Sequence, residues 1–474
     1  MIQKIKNLSK ETLIYGTSTM VGRFLNFILV PFYTNFIPPA EYGIIANIFA
    51  YIAILNVFFS LGLESGFFRF SAFQEIGSKK ENFSLPFVTI FLNSLILSAV
   101  LFFFPSVFSG IFSVTQANYD LIKYTALILF FDAIVLVPFA NLRLHHKPVK
   151  FSIIKIINIV VNVALNFILI IGFNMGIEAI LISNLAASVV TFIILLPEIF
   201  ANLEIKFNKE LFIELLKFSL PYIPAGISAN IIQVIDRPML VYLTNDQTAG
   251  IYTANYKLGI IMMIFVTMFD FAWRPFFLNN AKDENAKLLF SKVMTLFIMV
   301  GAFICLVTTL FLNDIILIFG QSYRSGLEIV PIILTAYLLN GVYVNLMPGI
   351  YFKKKTKYLP LITGIAAAAN VVSNLLLIPS LGMMGAAYST LLSYLLMVIG
   401  IYITAQKFYR IDYEYFKICM IFLSLISVIL FWFYSPQINL ITKLLIIAGY
   451  IGIVFAFKIV NFSTVAKLVK TKGV

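Results

Sequence analysis

The feature that most constrains this chain is a run of about 20 apolar residues that ends at a charge, proline or glycine and then begins again. Fourteen such runs occur, near residues 12–36, 43–66, 84–105, 121–141, 151–172 and 177–200, then 213–241, 249–273, 288–312, 327–352, 358–378 and 383–405, and finally 415–434 and 438–460. A run of that length crosses the hydrocarbon of a bilayer as a helix, since a helix satisfies its own backbone hydrogen bonds where no water can. With 61% hydrophobic and only 12% charged residues in 474, a water-soluble fold is excluded. The short connections leave no room for a separate catalytic or receptor domain. The expected fold is therefore an all-α polytopic membrane protein of about 14 transmembrane helices.

Charge orients it. With a cytoplasmic N-terminus, 28 of the 34 lysines and arginines fall on the cytoplasmic side, and only Lys123, Arg237, Arg324 and Lys443 on the other. That asymmetry supports an even span count and two cytoplasmic termini. The basic start followed by an apolar run imitates a signal peptide, but Arg23 interrupts it and no small-residue cleavage site follows, so it reads as an uncleaved first span. Cys305 and Cys419 lie inside apolar runs without CxxC or histidine spacing, so they are expected to be ordinary core residues.

The chain carries an internal offset. Lys10 aligns with Lys217 and Gly43-Ile44 with Gly250-Ile251 at 207 residues; Lys147 aligns with Lys355, Asn162 with Asn370 and Asn166 with Asn374 at 208. An offset of six spans keeps both copies in one orientation, which makes a parallel repeat. The expected organisation is a six-helix bundle over 1–205, a second over 206–410 facing it across a central cavity, and helices 13 and 14 with a basic tail over 411–474.

Polar residues inside the runs mark candidate sites. Thr12, Gly16, Thr19, Arg23 and Asn26 share one face of the first span, and Ser219, Tyr222, Gly226, Asn230, Gln233 and Arg237 share one face of the seventh. An ionised Arg23 at mid-span costs roughly 3 to more than 10 kcal/mol unless it meets water, a counter-charge or an anion. Arg23 and Lys257, with Thr19, Asn26, Asn230 and Gln233, are expected to contact an anionic substrate; the alternative for the cations is a structural pair with an acid or helix carbonyls. Asp236 and Arg237 read as a gate or an interfacial pair. Asp270 with Arg274 around Trp273, and Glu64 with Arg69, read as interfacial ion pairs and aromatic anchoring, with an inner gate as the alternative. Asn158, Asn162 and Asn166, like Asn370 and Asn374, are expected to be interhelical hydrogen-bond glue, and Pro221 and Pro224 to bend the seventh span. His145 and His146 lack the partners of a metal site, and none is expected.

No catalytic constellation is present: there is no HExxH, GxSxG, Walker A or loop DxD motif. A glycan polymerase would be expected to place acids and arginines on long outer loops, whereas the longest, about 106–120, carries only Asp120. A transporter alternating between two cavity openings fits the repeat and the polar stripes.

Several stretches also resemble a family. Phe32-Tyr33-Thr34 with Tyr42-Gly43, Ser60-Leu61-Gly62-Leu63-Glu64-Ser65-Gly66 and Arg69 look like the first two spans of the bacterial Wzx-type lipid-linked oligosaccharide flippases. Phe218-Ser219-Leu220-Pro221, Asp236-Arg237, Gly250-Ile251-Tyr252, Ala272-Trp273-Arg274-Pro275-Phe276, Lys355-Thr356-Lys357, Asn374 to Pro379 and Gly385-Ala386-Ala387 are similar to its second half. The family lies in the multidrug/oligosaccharidyl-lipid/polysaccharide exporter superfamily. The resemblance implies a V-shaped pair of bundles in the bacterial inner membrane. These would flip an undecaprenyl-pyrophosphate-linked oligosaccharide for O-antigen, lipopolysaccharide or capsule export, with a glycan polymerase as pathway partner and no nucleic acid. Arg23 and Lys257 would then meet the pyrophosphate or acidic sugars. The sequence departs from multidrug exporters in showing no evident cavity acid, and from lipid II flippases in carrying fewer cavity arginines. No cofactor is implied; proton or sodium coupling through Asp236, Asp270 or Glu64, the membrane potential and downhill flow all stay open. A small-molecule exporter of the same superfamily is the alternative.

Overall fold

The computed structural model describes residue 22 and residues 27–281, 283–353, 355–435 and 437–457. Among these residues the regular structure is helical, with no strand. Twelve helices among the described residues are long and apolar enough to cross a bilayer, and two shorter apolar helices, Phe27–Phe36 and Leu440–Ala456, fall where the first and last expected spans do. The all-α, roughly fourteen-span expectation is met. The chain divides into two compact units, Met1–Ala254 with Asn374–Gly382, and Asn255–Ser373 with Met383–Val474.

In the first unit, proline decides where spans break. The 29-residue span Gln116–Leu144, 72% of whose apolar window is buried, parts at Val135 into Tyr119–Ile134 and Leu136–Leu144. Pro138 has no N–H to offer the Ile134 carbonyl four residues back, which places the break. The seventh span parts twice, into Lys209–Ser219, Tyr222–Val234 and Asp236–Leu243. The first break is the one expected at Pro221 and Pro224; the second follows from Pro238, which cannot donate to Val234. Helix starts use side-chain caps where the sequence supplies them. Ser78 Oγ accepts from the Glu81 N–H at 3.1 Å while Glu81 Oε2 accepts from the Ser78 N–H at 2.7 Å, closing a capping box. Asn208 Oδ1 caps the Lys209–Ser219 helix by accepting from the Leu211 N–H at 3.1 Å.

The Pro39–Ser60 helix meets the start of the Asp246–Tyr256 helix at two glycines. A Cβ on Gly43 would overlap the Asp246 carbonyl, and one on Gly250 would overlap the Pro39 carbonyl. These are the same two glycines that the 207-residue offset aligns. Only hydrogen side chains permit this backbone approach, which gathers van der Waals contact where lipid offers no hydrophobic drive for association.

In the second unit the Ala286–Leu310 helix, 61% of whose apolar window is buried, receives the C-terminal pair, Tyr415–Tyr434 and Leu440–Ala456. The Tyr450 hydroxyl donates to the Met299 carbonyl at 2.7 Å, and Lys443, only 6% exposed, pairs with Asp314. The two cysteines part company: Cys305 is buried as expected, but Cys419 is exposed. Its helix buries only 17% of its apolar window, so an apolar run there marks contact with lipid rather than with a protein core.

Replacing Gly43 or Gly250 by valine is expected to lower the thermal midpoint of the detergent-purified protein by the equivalent of about 1–3 kcal/mol, the usual range for overpacking a tight contact. A midpoint unchanged in both variants would show that the crossing yields without strain.

Candidate functional site

Arg23, Thr19 and Asn26 lie outside the described residues. Lys257 opens a short 3-10 turn, Lys257–Gly259, and is half-buried. Asn230 donates its Nδ2 to the Ala53 carbonyl at 3.0 Å, tying the Tyr222–Val234 helix to Pro39–Ser60. The Gln233 side chain is exposed, and its backbone carbonyl accepts from Arg237.

Asp236 and Arg237 are buried, at 2% and 8% exposure. Arg237 Nη1 reaches Asp236 Oδ1 at 2.7 Å, and the Tyr252 hydroxyl, itself fully buried, donates to Asp236 Oδ2. Each group is satisfied inside the protein, so this is a closed cluster. Asp270 Oδ1 and Arg274 Nε form an i, i+4 pair at 2.9 Å. Trp273 between them is 2% exposed and stacks on Phe269 with ring centroids 5.4 Å apart. Packing rather than interfacial anchoring therefore explains that tryptophan. Glu64 pairs with Arg143 and Arg69 with Glu75 at 2.9 Å, so Glu64 and Arg69 each answer to a different partner.

The asparagines divide. Asn158 Nδ2 donates to Thr191 Oγ1 at 2.9 Å and Asn370 Nδ2 to Ser393 Oγ at 2.9 Å, both between helices. Asn166 instead donates to the Asn162 carbonyl of its own helix at 2.8 Å.

Sequence reasoning missed the centre of the first unit. A cavity of about 570 Å³ opens there, lined by Asn56, Asp132, Lys155, Asn158, Asn162 and Asn184 among others. Its walls follow from local structure. Lys155, Asn158 and Asn162 are spaced 3 and 4 along the Pro148–Phe167 helix, which sets them on one face. Asp132 sits just before the proline-induced break at Val135, where the fourth span turns aside. Its Oδ1 accepts from Ser188 Oγ at 2.6 Å, and Ser188 stands one turn from Thr191 on the Glu178–Asn202 helix.

The electrostatics are unusual for a membrane interior. Lys155 lies seven residues into its helix, roughly 10 Å at the helical rise, with its Nζ 4.4 Å from the Phe139 ring centre. No carboxylate among the described residues lies within ion-pair distance of it. The side chains of Asn56 and Asn184 likewise have no hydrogen-bond partner among the described residues, although both line the cavity. Lys155 is exposed and Asn56 and Asn184 are half-buried, so their polar groups face whatever fills the cavity, water or a ligand. Asp132 is the cavity acid that was not evident in sequence. The available signal was a lone acid inside an apolar run, together with a lysine on the same helical face as two asparagines.

Removing one member of the closed cluster tests its role. Arg237→Met alone is expected to destabilise the protein by about 3–5 kcal/mol, because it leaves Asp236 charged and buried, whereas Asp236→Leu with Arg237→Met should recover most of that loss. Thermal unfolding of the purified variants decides it; a single variant as stable as the parent would show that the pair opens to water.

A family model for polysaccharide biosynthesis proteins matches residues 8–280, more than half the chain. No curated protein sequence matches. Among solved structures, the chain is similar to the lipid II flippase MurJ in an inward closed conformation, with a TM-score of 0.71 at 14% identity over 94% of this chain and 98% of that one. It is also similar to an inward-facing multidrug resistance MATE family transporter of the MOP superfamily, with a TM-score of 0.65 at 15% identity over 84% and 97%. A mutant of the Vibrio cholerae MATE transporter VcmN gives 0.60 at 14% identity over 85% and 96%. Identities this low speak for a shared fold alone, while the family match is made on the sequence itself. The chain is thus a multi-pass membrane protein that belongs to the polysaccharide biosynthesis protein family and has the fold shared by MurJ and the MATE transporters.

Proposed function

We propose that this protein moves a polyprenyl-pyrophosphate-linked oligosaccharide from the cytoplasmic to the outer leaflet of the bacterial inner membrane by alternating access, for export of a cell-surface polysaccharide such as O-antigen or capsule. The observation that carries the reading is a polar cavity, lined by Lys155, Asp132 and four asparagines, among the membrane-spanning helices of a chain from the polysaccharide biosynthesis family. The fold shared with a lipid II flippase supports it. A saccharide headgroup crossing hydrocarbon needs such an environment, while its polyprenyl tail can stay in lipid.

In this reading Arg23 and Lys257 meet the pyrophosphate, with Thr19, Asn26, Asn230 and Gln233 along the same stripes, because charge-assisted contacts hold phosphate oxygens best. The repeats at 1–205 and 206–410 supply the two moving parts of the cycle. The termini are cytoplasmic, as the loop cations direct. Proton or sodium coupling would require a carboxylate that exchanges partners, and Glu64, Asp236 and Asp270 each pair with an arginine. The MATE-like fold also supports a second reading, an exporter of small molecules.

Depletion of the protein, followed by mass spectrometry of polyprenyl-linked saccharides and lectin probing of their sidedness, tests the reading. The expected result is a completed repeat unit accumulating on the cytoplasmic face. Short units reaching the outer face would favour a polymerase, and an unchanged pool the small-molecule exporter. Arg23→Ala and Lys257→Ala are each expected to reduce export about tenfold or more at normal membrane abundance, the scale of one charged hydrogen bond. Arg23→Lys should retain part of the activity if charge alone matters. Unchanged export in both alanine variants would remove these cations from the substrate path.

A further inference from the structure

We propose that the cavity inside the first unit is a saccharide-reading subsite that binds a neutral sugar ring through its hydroxyl and amide groups, separately from the cations assigned to the pyrophosphate. The proposal rests on the flippase reading and adds to it the place where the glycan is distinguished.

The argument begins with what the lining can do. Asparagine amides donate and accept, and Ser188 and Thr191 hydroxyls do both; a sugar hydroxyl is likewise donor and acceptor at one atom. Asp132 has Oδ1 engaged by Ser188 and leaves Oδ2 to accept from a ligand. Lys155 offers donors with no carboxylate in reach among the described residues. Asn56 and Asn184 bring amides that no described protein group satisfies. Asn56 and Asn184 are half-buried and Lys155 is exposed, so these polar groups converge on one opening and are available to whatever fills it.

Other occupants fit less well. A diphosphate needs net positive charge, but Lys155 is offset by Asp132, and Glu64 on the same lining is itself held by Arg143. A hard metal cation needs several oxygens converging at about 2–2.6 Å, whereas this space measures about 570 Å³. Among the described residues no group of three acidic, histidine or cysteine side chains gathers that could hold one. The volume falls within the usual range of small-molecule sites, about 300–1,000 Å³. The exposed ring of Tyr222, on the lining, supplies an apolar wall for the C–H face of a sugar.

Asn56 and Asn184 make the site testable, because they bond to nothing described. Leucine at either position is close in volume and strands no protein partner, so the fold should be retained. Saturation-transfer NMR on the full-length protein in detergent, with galactose and N-acetylglucosamine as neutral probes and glucuronate and inorganic phosphate as anionic ones, reads occupancy directly. The expected result is transfer to at least one neutral sugar, weakened about three- to tenfold in apparent affinity by Asn56→Leu and by Asn184→Leu, with unchanged thermal midpoints. Absence of transfer to either neutral sugar, transfer indifferent to both substitutions, or transfer confined to glucuronate and phosphate would each overturn the proposal. Its failure is separable from that of the flippase reading. Normal flipping by a variant that has lost sugar binding removes the subsite and leaves the flippase, whereas lipid-linked pools unchanged on depletion remove the flippase reading itself.

Discussion

Hydrocarbon offers no hydrogen-bond partner, and this chain is organised around that fact. Its backbone is helical because only a helix completes its own bonds in lipid. Where proline removes one of those bonds the helix can part, as at Val135, next to the Ile134 carbonyl that Pro138, four residues on, cannot reach with an N–H. The break turns the fourth span aside next to Asp132, so one missing N–H helps to open the space into which Asp132 and its neighbours project. A local defect in backbone bonding thereby becomes a polar compartment inside an apolar protein.

Polar side chains within the first unit take two forms. In closed clusters every group answers another: Asp236 with Arg237 and Tyr252, or Glu198, 7% exposed, with Lys150 at 2.7 Å, Lys147 at 3.3 Å and Asn141 at 3.1 Å. Such clusters are self-sufficient, and breaking one strands a charge. The cavity is the open form. Asn56 and Asn184 line it without a hydrogen-bond partner among the described residues, and Lys155 there meets only the Phe139 ring, which leaves stabilisation to be supplied by something that enters. The contrast separates structural from ligand-directed polarity without any appeal to residue type, since lysine, aspartate and asparagine occur in both forms.

The likeness to MurJ and to MATE transporters at about 14–15% identity is physically reasonable. Span length, break positions and the narrow crossings depend on a pattern of apolar runs, prolines and glycines, which tolerates exchange of one apolar side chain for another. The particular groups exposed to a cavity are under no such constraint. The fold can therefore be shared widely while the chemistry of the lining differs from chain to chain.

Sequence alone was sufficient for the helical class, the approximate span count and the bend at Pro221, because each follows from a local rule: transfer free energy or a missing N–H; the offset aligned Gly43 with Gly250, but their close crossing emerged only in the structure. Periodicity also showed which helical faces are polar. It could not show what those faces meet. Asp132 and Ser188 are 56 residues apart, and which groups share the cavity lining with Lys155 is a matter of how distant helices pack. Cys305 and Cys419 sit in equally apolar surroundings in sequence, yet one is buried and the other exposed, since lipid and protein core are alike to an apolar run. Membership of the membrane and of the helix is decided along the chain; whether a polar group is paired, or held open for a ligand, is decided only when distant segments come together.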